Sequence, residues 1–479
     1  MHTAYYGLIE LKVESLLERI LEEIRPNPRK VLEVRAVADR FLERTGKVAR
    51  EIEPEAEVFL GGSVRKGTYL SSEIDIDIFV LLPPTLSREE FERVGLKIGR
   101  RVLEGYDVVE RWAEHPYVEG KAEGLNISVI PAYRTRPPKW KSAVDRTFYH
   151  VQYAEEHLDD ELRDQIRLLK RFLKSIGVYG AEAAIGGFSG YLCELLIIAH
   201  RSFLGLLKAG ANWRPPRVID VEGHFEGSPE IPLQLFEEDP LIAVDPVDKG
   251  RNVAAAVSRL SFSLFISASH AFLSVPSRLF FEQCPAGLED LLPSLAKRKG
   301  VMGMLFHHGA LIEDTLHPQL ERLARNLETR LREFGFNPLR WDTYSDYRSS
   351  SLLLFELQSL DIPEQYLHMG PYPYDERHET SFLRENLPKS IYVWITREGR
   401  WVALKRRELT NAVTALEKVL QDVEIIPGGI RGEVSETARV LGTEDLPEAA
   451  RRIEIVKPSI SDFLGRKEFW WTDQSRAAP

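Results

Sequence analysis

The stretch FLGGSVRKGTYLSSEIDIDIFVLLP, residues 59–83, places a Gly-Gly-Ser turn, two cations and two aspartates in one short run. Asp75 and Asp77 sit two apart among Ile74, Ile76, Ile78, Phe79, Val80 and Leu81. β-Branched and aromatic residues at this density predict a strand over 74–82. Positions two apart on a strand point to one face, so both carboxylates share it, about 7 Å apart along the chain. Like charges so placed repel unless something cationic lies between them. Upstream, Gly61, Gly62 and Ser63 lead into a short helical segment whose backbone N–H groups and hydroxyl suit phosphate oxygens, and Lys66 follows as a cation for the same phosphates. One or two Mg²⁺ ions shared by Asp75 and Asp77 would remove the repulsion. The whole set would hold a nucleoside triphosphate and its metals for in-line nucleotidyl transfer. A glycine turn or an Asp-x-Asp alone is commonplace. The combination, with aspartates twelve and fourteen residues after the serine on an apolar strand, points to this chemistry.

The chain has 479 residues, enough for two to four domains, with 43% hydrophobic and 28% charged residues, the balance of a globular protein with substantial cores. No apolar run approaches the roughly 20 residues a membrane helix needs, and MHTAYYGLIELKVESLLERI lacks the basic and apolar parts of a signal peptide. Two cysteines, Cys193 and Cys284, support neither a disulfide framework nor zinc spacing. A soluble, cytoplasmic protein without a membrane partner is the expectation. The net charge of −10 argues weakly against a nucleic-acid partner, but the total is silent about distribution. RTRPPKWK at 134–141, RDQIRLLKRFLK at 163–174, NWRPPR at 212–217 and REGRWVALKRR at 397–407 are all basic, and each carries or adjoins an aromatic residue. Any one can be a solvated face; four of the same character favour an anionic, partly stacked ligand.

Helical spacing over 8–24 and 35–46 predicts two helices ahead of a strand at 56–61. In SREEFERVGLKIGRRVLEG, Ser87 and Glu90 form a capping-box pattern that opens a third helix. YDVVERWAEHPYVEG and LNISVIPAY read as further strands, so residues 1–150 alternate as an α/β domain with a mixed sheet. From 155 to about 275 the pattern is mainly helical, clearest in GGFSGYLCELLIIAHRSFLGLLKAG. Beyond 300, GVMGMLFHH reads as a strand and PQLERLARNLETRLREFG as a helix ended by Gly335. PLRWDTYS and SSLLLFELQSL read as paired strands, and SIYVWITREGRWVALKR as a hairpin turning at Glu398-Gly399. The fold class is α+β, multidomain, divided at 1–150, 151–275 and 276–479.

GGSVRKGTYLSSEIDIDIFV resembles the nucleotidyltransferase motif of the DNA-polymerase-beta-like superfamily. More narrowly, the chain resembles the archaeal (class I) CCA-adding enzymes, tRNA nucleotidyltransferases that build the 3′ CCA end without a template. The resemblance continues through AEHPYVEG, KSAVDRT, IRLLKRFLKSIGVYGAE, GFSGYLCELLI, VDPVDKGRNVAAAVS, HPQLER and MGPYPYDER, in order, over about residues 55–380. It implies a catalytic nucleotidyltransferase head over 1–150, a helical nucleotide- and tRNA-binding domain over 151–275, and an α+β body and tail binding tRNA over 276–479. The implied substrates are CTP, ATP and the tRNA 3′ end and acceptor stem, with Mg²⁺ as cofactor and a homodimer as assembly. Asp75 and Asp77 would hold the metal, and Gly62 and Ser63 would meet the triphosphate. Lys66 stands where the family usually has arginine, so a point charge replaces a fork. His150, Lys170 and Tyr179 match nucleotide-contacting positions, and Arg251 matches the arginine that reads the incoming base with the RNA backbone. His115, in AEHPY, fits either a ligand contact or a structural role.

The chain departs from the family at one place. The third catalytic carboxylate is implied on a neighbouring strand, in a segment of the form acid–apolar–Asp–apolar–apolar–Pro. Here that segment is Asn126-Ile127-Ser128-Val129-Ile130-Pro131, so Ser128 takes the aspartate's place. A hydroxyl is a poor Mg²⁺ ligand and no carboxylate base. Glu123 lies near, but on the wrong parity unless the strand bulges. A weakened enzyme, a substitute ligand from elsewhere, or an altered copy that binds RNA without catalysis are all compatible with this segment.

Overall fold

The computed structural model describes residues 2–112, 114–282, 295, 298 and 300–465, with residues 2–11 as backbone alone. Cys284 and the segment 466–479, the end of the expected tRNA-binding tail, lie outside the described residues. The chain forms two compact units that part at residues 284 and 285.

In the first unit, helices α1 (His2–Ile24) and α2 (Pro28–Ile52) precede β1 (Glu57–Leu60). Helix α3 (Gly62–Lys66) joins β1 to β2 (Asp75–Leu82), and α4 (Arg88–Val102) leads to β3 (Asp107–Trp112), β4 (Pro116–Ala122) and β5 (Leu125–Tyr133). The sheet order is β1-β2-β5-β4-β3; only β2 and β5 run parallel, so it is mixed, as the alternation implied. Ile76, Ile78, Val80 and Leu82 of β2, with Ile127 and Val129 of β5 and Val118 of β4, bury one face under α2 and α4. The aspartates between those residues are left on the other face. Asn27 caps α2 by accepting from the Lys30 N–H at 2.8 Å, with Pro28 at the first position. The Ser87–Glu90 capping box is formed at the start of α4. Caps of this kind contribute about 1 kcal/mol each.

Helices α5 (Thr147–His157), α6 (Asp160–Ser175), α7 (Gly190–His200), α8 (Phe203–Gly210), α9 (Glu230–Leu235) and α10 (Arg259–Ser274) follow. The helical reading of this region missed a small sheet of β6 (Arg217–Ile219), β7 (Leu241–Asp245) and β8 (Asp248–Asn252). Its apolar run is too short to separate a buried strand from a buried helix by periodicity. The stretch 186–210 holds two helices: Arg201 adopts φ 64, ends α7, and α8 leaves at 90°. No single helix among the described residues is long and apolar enough to cross a membrane.

The second unit holds two sheets. β9 (Val301–His307), β10 (Pro338–Ser345), β11 (Ser350–Leu357) and a later strand form one, against the helix Glu313–Glu333, which stops before Gly335 at φ 93. The expected β10–β11 pairing is present. β12 (Gln365–Met369), β13 (Tyr392–Ile395) and β14 (Trp401–Arg406) form the other, the β13–β14 hairpin turning through Gly399 at φ 79.

Candidate active site

Glu123 (φ 52) and Gly124 (φ 79) alone join β4 to β5, with Ala122 opposite Leu125. Two successive positive φ values make the hairpin turn whose twist matches its strands, so register is set there. Lys121 therefore stands opposite Asn126 and Glu119 opposite Ser128. On the other side of β5, Asn126 is level with Asp75 and Ser128 with Asp77. Two rows thus cross the open face: Asp75–Asn126–Lys121 and Asp77–Ser128–Glu119. Glu123 itself sits in the turn, ion-paired with Arg40, and no bulge turns it toward the aspartates.

Asn126 Nδ2 donates to Asp75 Oδ1 at 2.9 Å. The half-buried Asp77 carboxylate receives no hydrogen bond among the described residues, while its backbone carbonyl accepts from Gly61 N–H at 2.8 Å. Burial first, then the charge of Asp75 and more weakly that of Glu119, push the Asp77 carboxyl up to about 7 against the pull of Lys66. Gly62, at φ 62, lies hard against this carboxylate: a Cβ there would fall 1.9 Å from Asp77 Oδ2. Only glycine lets α3 and Ser63 approach so closely. Among the described residues no three His, Cys, Asp or Glu side chains form a closed metal cage. Two carboxylates with an open side, one lacking any donor, suit a Mg²⁺ ion that completes its shell from water and substrate phosphate.

A buried network links α3 to α6 and α7. Glu194, 1% exposed on the otherwise apolar α7, accepts from Lys66 Nζ at 2.6 Å and from Thr68 Oγ1 at 3.2 Å. Lys170, 3% exposed on α6, donates to Thr68 O and Oγ1, both at 3.1 Å; burial brings its ammonium down to about 8. Lys66 also lies over the Tyr191 ring at 5.6 Å. Tyr179 is half-buried with its hydroxyl near Gly190, under the Lys174 ammonium, and burial raises its phenol. The basic run at 163–174 is therefore not a free anion-binding face. Arg163 donates to Lys66 O at 3.0 Å, Arg167 to Tyr69 O at 3.1 Å and to Gly67 O. The loop after α3 leaves carbonyls that need buried donors, and α6 supplies them.

A third cluster joins α5 to the small sheet. His150 Nε2 lies 2.9 Å from Asp245 Oδ2, and Arg251 Nη1 donates to the same oxygen at 2.8 Å. Asp245 is 0% exposed. A carboxylate can only accept, so Nε2 carries the proton. The His150 ring stacks on Tyr191 at 4.0 Å, and burial lowers its pKa although Asp245 opposes this. His115 is buried beside Phe91 and Tyr133, 3.7 Å from Glu92, away from both rows. Of the other basic runs, Trp213 is core, stacked on Phe262, and Trp401 donates to Glu379 at 2.7 Å. Arg134 pairs with Glu55 and Glu57.

Sequence reasoning missed Glu119, Glu194 and Asp245. Glu194 had a signal: a lone acid in an apolar helix must be paired if buried. Asp245 closes the apolar run Leu241–Val244 in the same way.

Comparisons with known proteins identify the chain's relatives. Residues 42–153 match the family profile of the nucleotidyltransferase domain, 164–282 the second domain of tRNA nucleotidyltransferase, and 298–436 the C-terminal domain of the CCA-adding enzyme. The CCA-adding enzyme of Methanothermobacter thermautotrophicus is 36% identical over 408 residues, 84% of this chain and 87% of the relative. That of Archaeoglobus fulgidus is 36% identical over 406 residues, 84% and 88%. That of Methanopyrus kandleri is 32% identical over 482 residues, 95% and 97%. With two aspartates on one face of β2, a glycine pressed against one of them, and relatives matched along nearly the whole chain, this protein belongs to the archaeal CCA-adding enzymes, the tRNA nucleotidyltransferases.

Proposed function

We propose that the chain adds CMP and AMP, from CTP and ATP, to the tRNA 3′ end on the Asp75–Asp77 face. The placement of the Asp77 carboxylate against Gly62, with Asp75 two residues before it on the same face of β2, carries the reading. The primer 3′-hydroxyl oxygen bonds to the α-phosphorus, the bond from that phosphorus to the β-bridging oxygen breaks, pyrophosphate leaves, and the hydroxyl proton passes to a carboxylate or water. Mg²⁺, held by Asp75 and Asp77, supplies charge neutralisation for the triphosphate when bound. Gly62 and Ser63 bring backbone and hydroxyl to the phosphates. Lys66 and Lys170 are two buried cations against one carboxylate, Glu194, so a net positive field remains for the triphosphate, and Tyr179 lies beside them. His150 and Arg251, both held by Asp245, are assigned to the incoming nucleotide, the arginine to its base.

In this reading residues 1–150 are the catalytic head, 151–275 bind nucleotide and tRNA, and 276–479 form the body and tail that bind tRNA. Exposed Tyr392 and Trp394 on the β12-β14-β13 sheet support the last, since flat rings stack on RNA. A homodimer working in the cytoplasm on tRNA completes the assignment. Primer extension on tRNA lacking its CCA end, with each nucleotide separately labelled, should give CMP and AMP incorporation and little UMP or GMP. Binding of that tRNA without any incorporation would overturn the assignment in favour of an altered copy.

A further inference from the structure

Ser128 gives the expected third carboxylate position a hydroxyl, yet the same row of the sheet carries another acid one strand further on. Glu119 stands on β4 directly opposite Ser128, and Ser128 stands level with Asp77. Adjacent strands are about 4.8 Å apart, so the Glu119 backbone lies two spacings, roughly 10 Å, from that of Asp77. An aspartate at 128 would have one spacing to cover. A glutamate at 119 has one more methylene and only the short Ser128 side chain between it and the aspartates. Its carboxylate already adds to the negative field at Asp77 and at Tyr117, which shares its strand and face. The other groups on these rows, Asn126 and Lys121, are not acids.

Glu119 now pairs with Arg111 of the edge strand, Nη2 to Oε1 at 3.3 Å, with the arginine side chain nearly half exposed. Pairs of this kind are worth about 0–1 kcal/mol, so turning the carboxylate inward costs little against a divalent cation. We propose that Glu119 replaces the missing acid, giving the site a third carboxylate from β4 rather than β5. The proposal rests on the assignment of Asp75 and Asp77 as the metal-binding pair.

The test is Mn²⁺ binding to the full chain, read by electron paramagnetic resonance of the free ion, beside the rate of CMP addition to tRNA. Glu119→Gln should weaken Mn²⁺ about tenfold or more and slow transfer at least as much, with thermal unfolding little changed. Adding Ser128→Asp to that variant should return both toward the wild type, while Arg111→Ala should leave the rate within about twofold. Glu119→Gln within about twofold of the wild type in both readouts overturns the proposal, as does a Ser128→Asp that rescues neither. Asp77→Asn separates the two levels. If it abolishes Mn²⁺ binding while Glu119→Gln keeps it, only the role of Glu119 falls. If Asp77→Asn binds Mn²⁺ like the wild type, the metal-binding pair falls and Glu119 with it.

Discussion

The open face of the first unit's mixed sheet and the buried network around α6 and α7 both carry charge, but they treat it in opposite ways. On the sheet, Asp77 is half-buried and receives no donor among the described residues, and its nearest acids repel it. In the buried network, Glu194 has two donors, Asp245 has three, and Lys170 has two acceptors. A polar group left unpaired at such depth is tolerated where a ligand completes it; one fully paired is there to orient its neighbours. The first region is therefore chemistry waiting for charge, and the second is a paired network that fixes where its cations stand.

Asp77→Asn should break the contrast from the side of activity. Losing charge stabilisation of several kcal/mol should lower the transfer rate about 10³-fold or more while tRNA affinity holds. Single-turnover extension with excess enzyme measures it, and a loss under about tenfold would return the aspartate to a bystander. Glu194→Ala attacks the other side. It strands Lys66 and leaves Thr68 without its acceptor, so urea unfolding should show a loss of about 3–5 kcal/mol. A loss below about 1 kcal/mol would mean that water reaches the network. Asp245→Asn removes a charged acceptor from Arg251 and His150 but keeps the shape, and should cost about 1.5–3 kcal/mol in the same measurement and raise KM for CTP.

The mildest prediction concerns pH. The Asp77 carboxyl, pushed up to about 7, binds a proton in the metal-free fold at pH values where the unfolded chain has already lost it. The native state thus holds more protons than the unfolded state between about pH 4 and 7, and metal-free stability falls as pH rises through that window. Metal must displace the same proton, so Mn²⁺ affinity should rise about tenfold per pH unit below 7 and level off above it. Asp77→Asn should flatten the stability slope; an unchanged slope would assign it elsewhere.

Much of the first unit's mixed sheet, and the hairpin of the second unit, was legible because the signals are local. The Asp-x-Asp strand, the Ser87–Glu90 cap and the Gly399 hairpin are each specified by a few adjacent residues. The partners of charged residues were not. Nothing adjacent to Lys170 announces that Thr68 will receive it, and the run at 163–174 has the composition of a ligand face although its donors turn inward. Glu119 lay between these cases. The Glu123-Gly124 pair between two alternating runs is a hairpin signal, and counting back from it places Glu119 opposite Ser128.

Because β4 and β5 are joined by only two residues, each position on one strand has a fixed mate on the other. Mated positions are interchangeable addresses for a functional group, so a lineage can lose an acid at one and regain it at the other without moving the backbone. The freedom ends at the length of the turn. A single inserted residue that slid β4 by one position would send Glu119 to the face covered by α4 and bring Val118 or Gly120 to the site. Relatives that carry an acid at only one of the two addresses should therefore vary in the chemistry of this turn but not in its length.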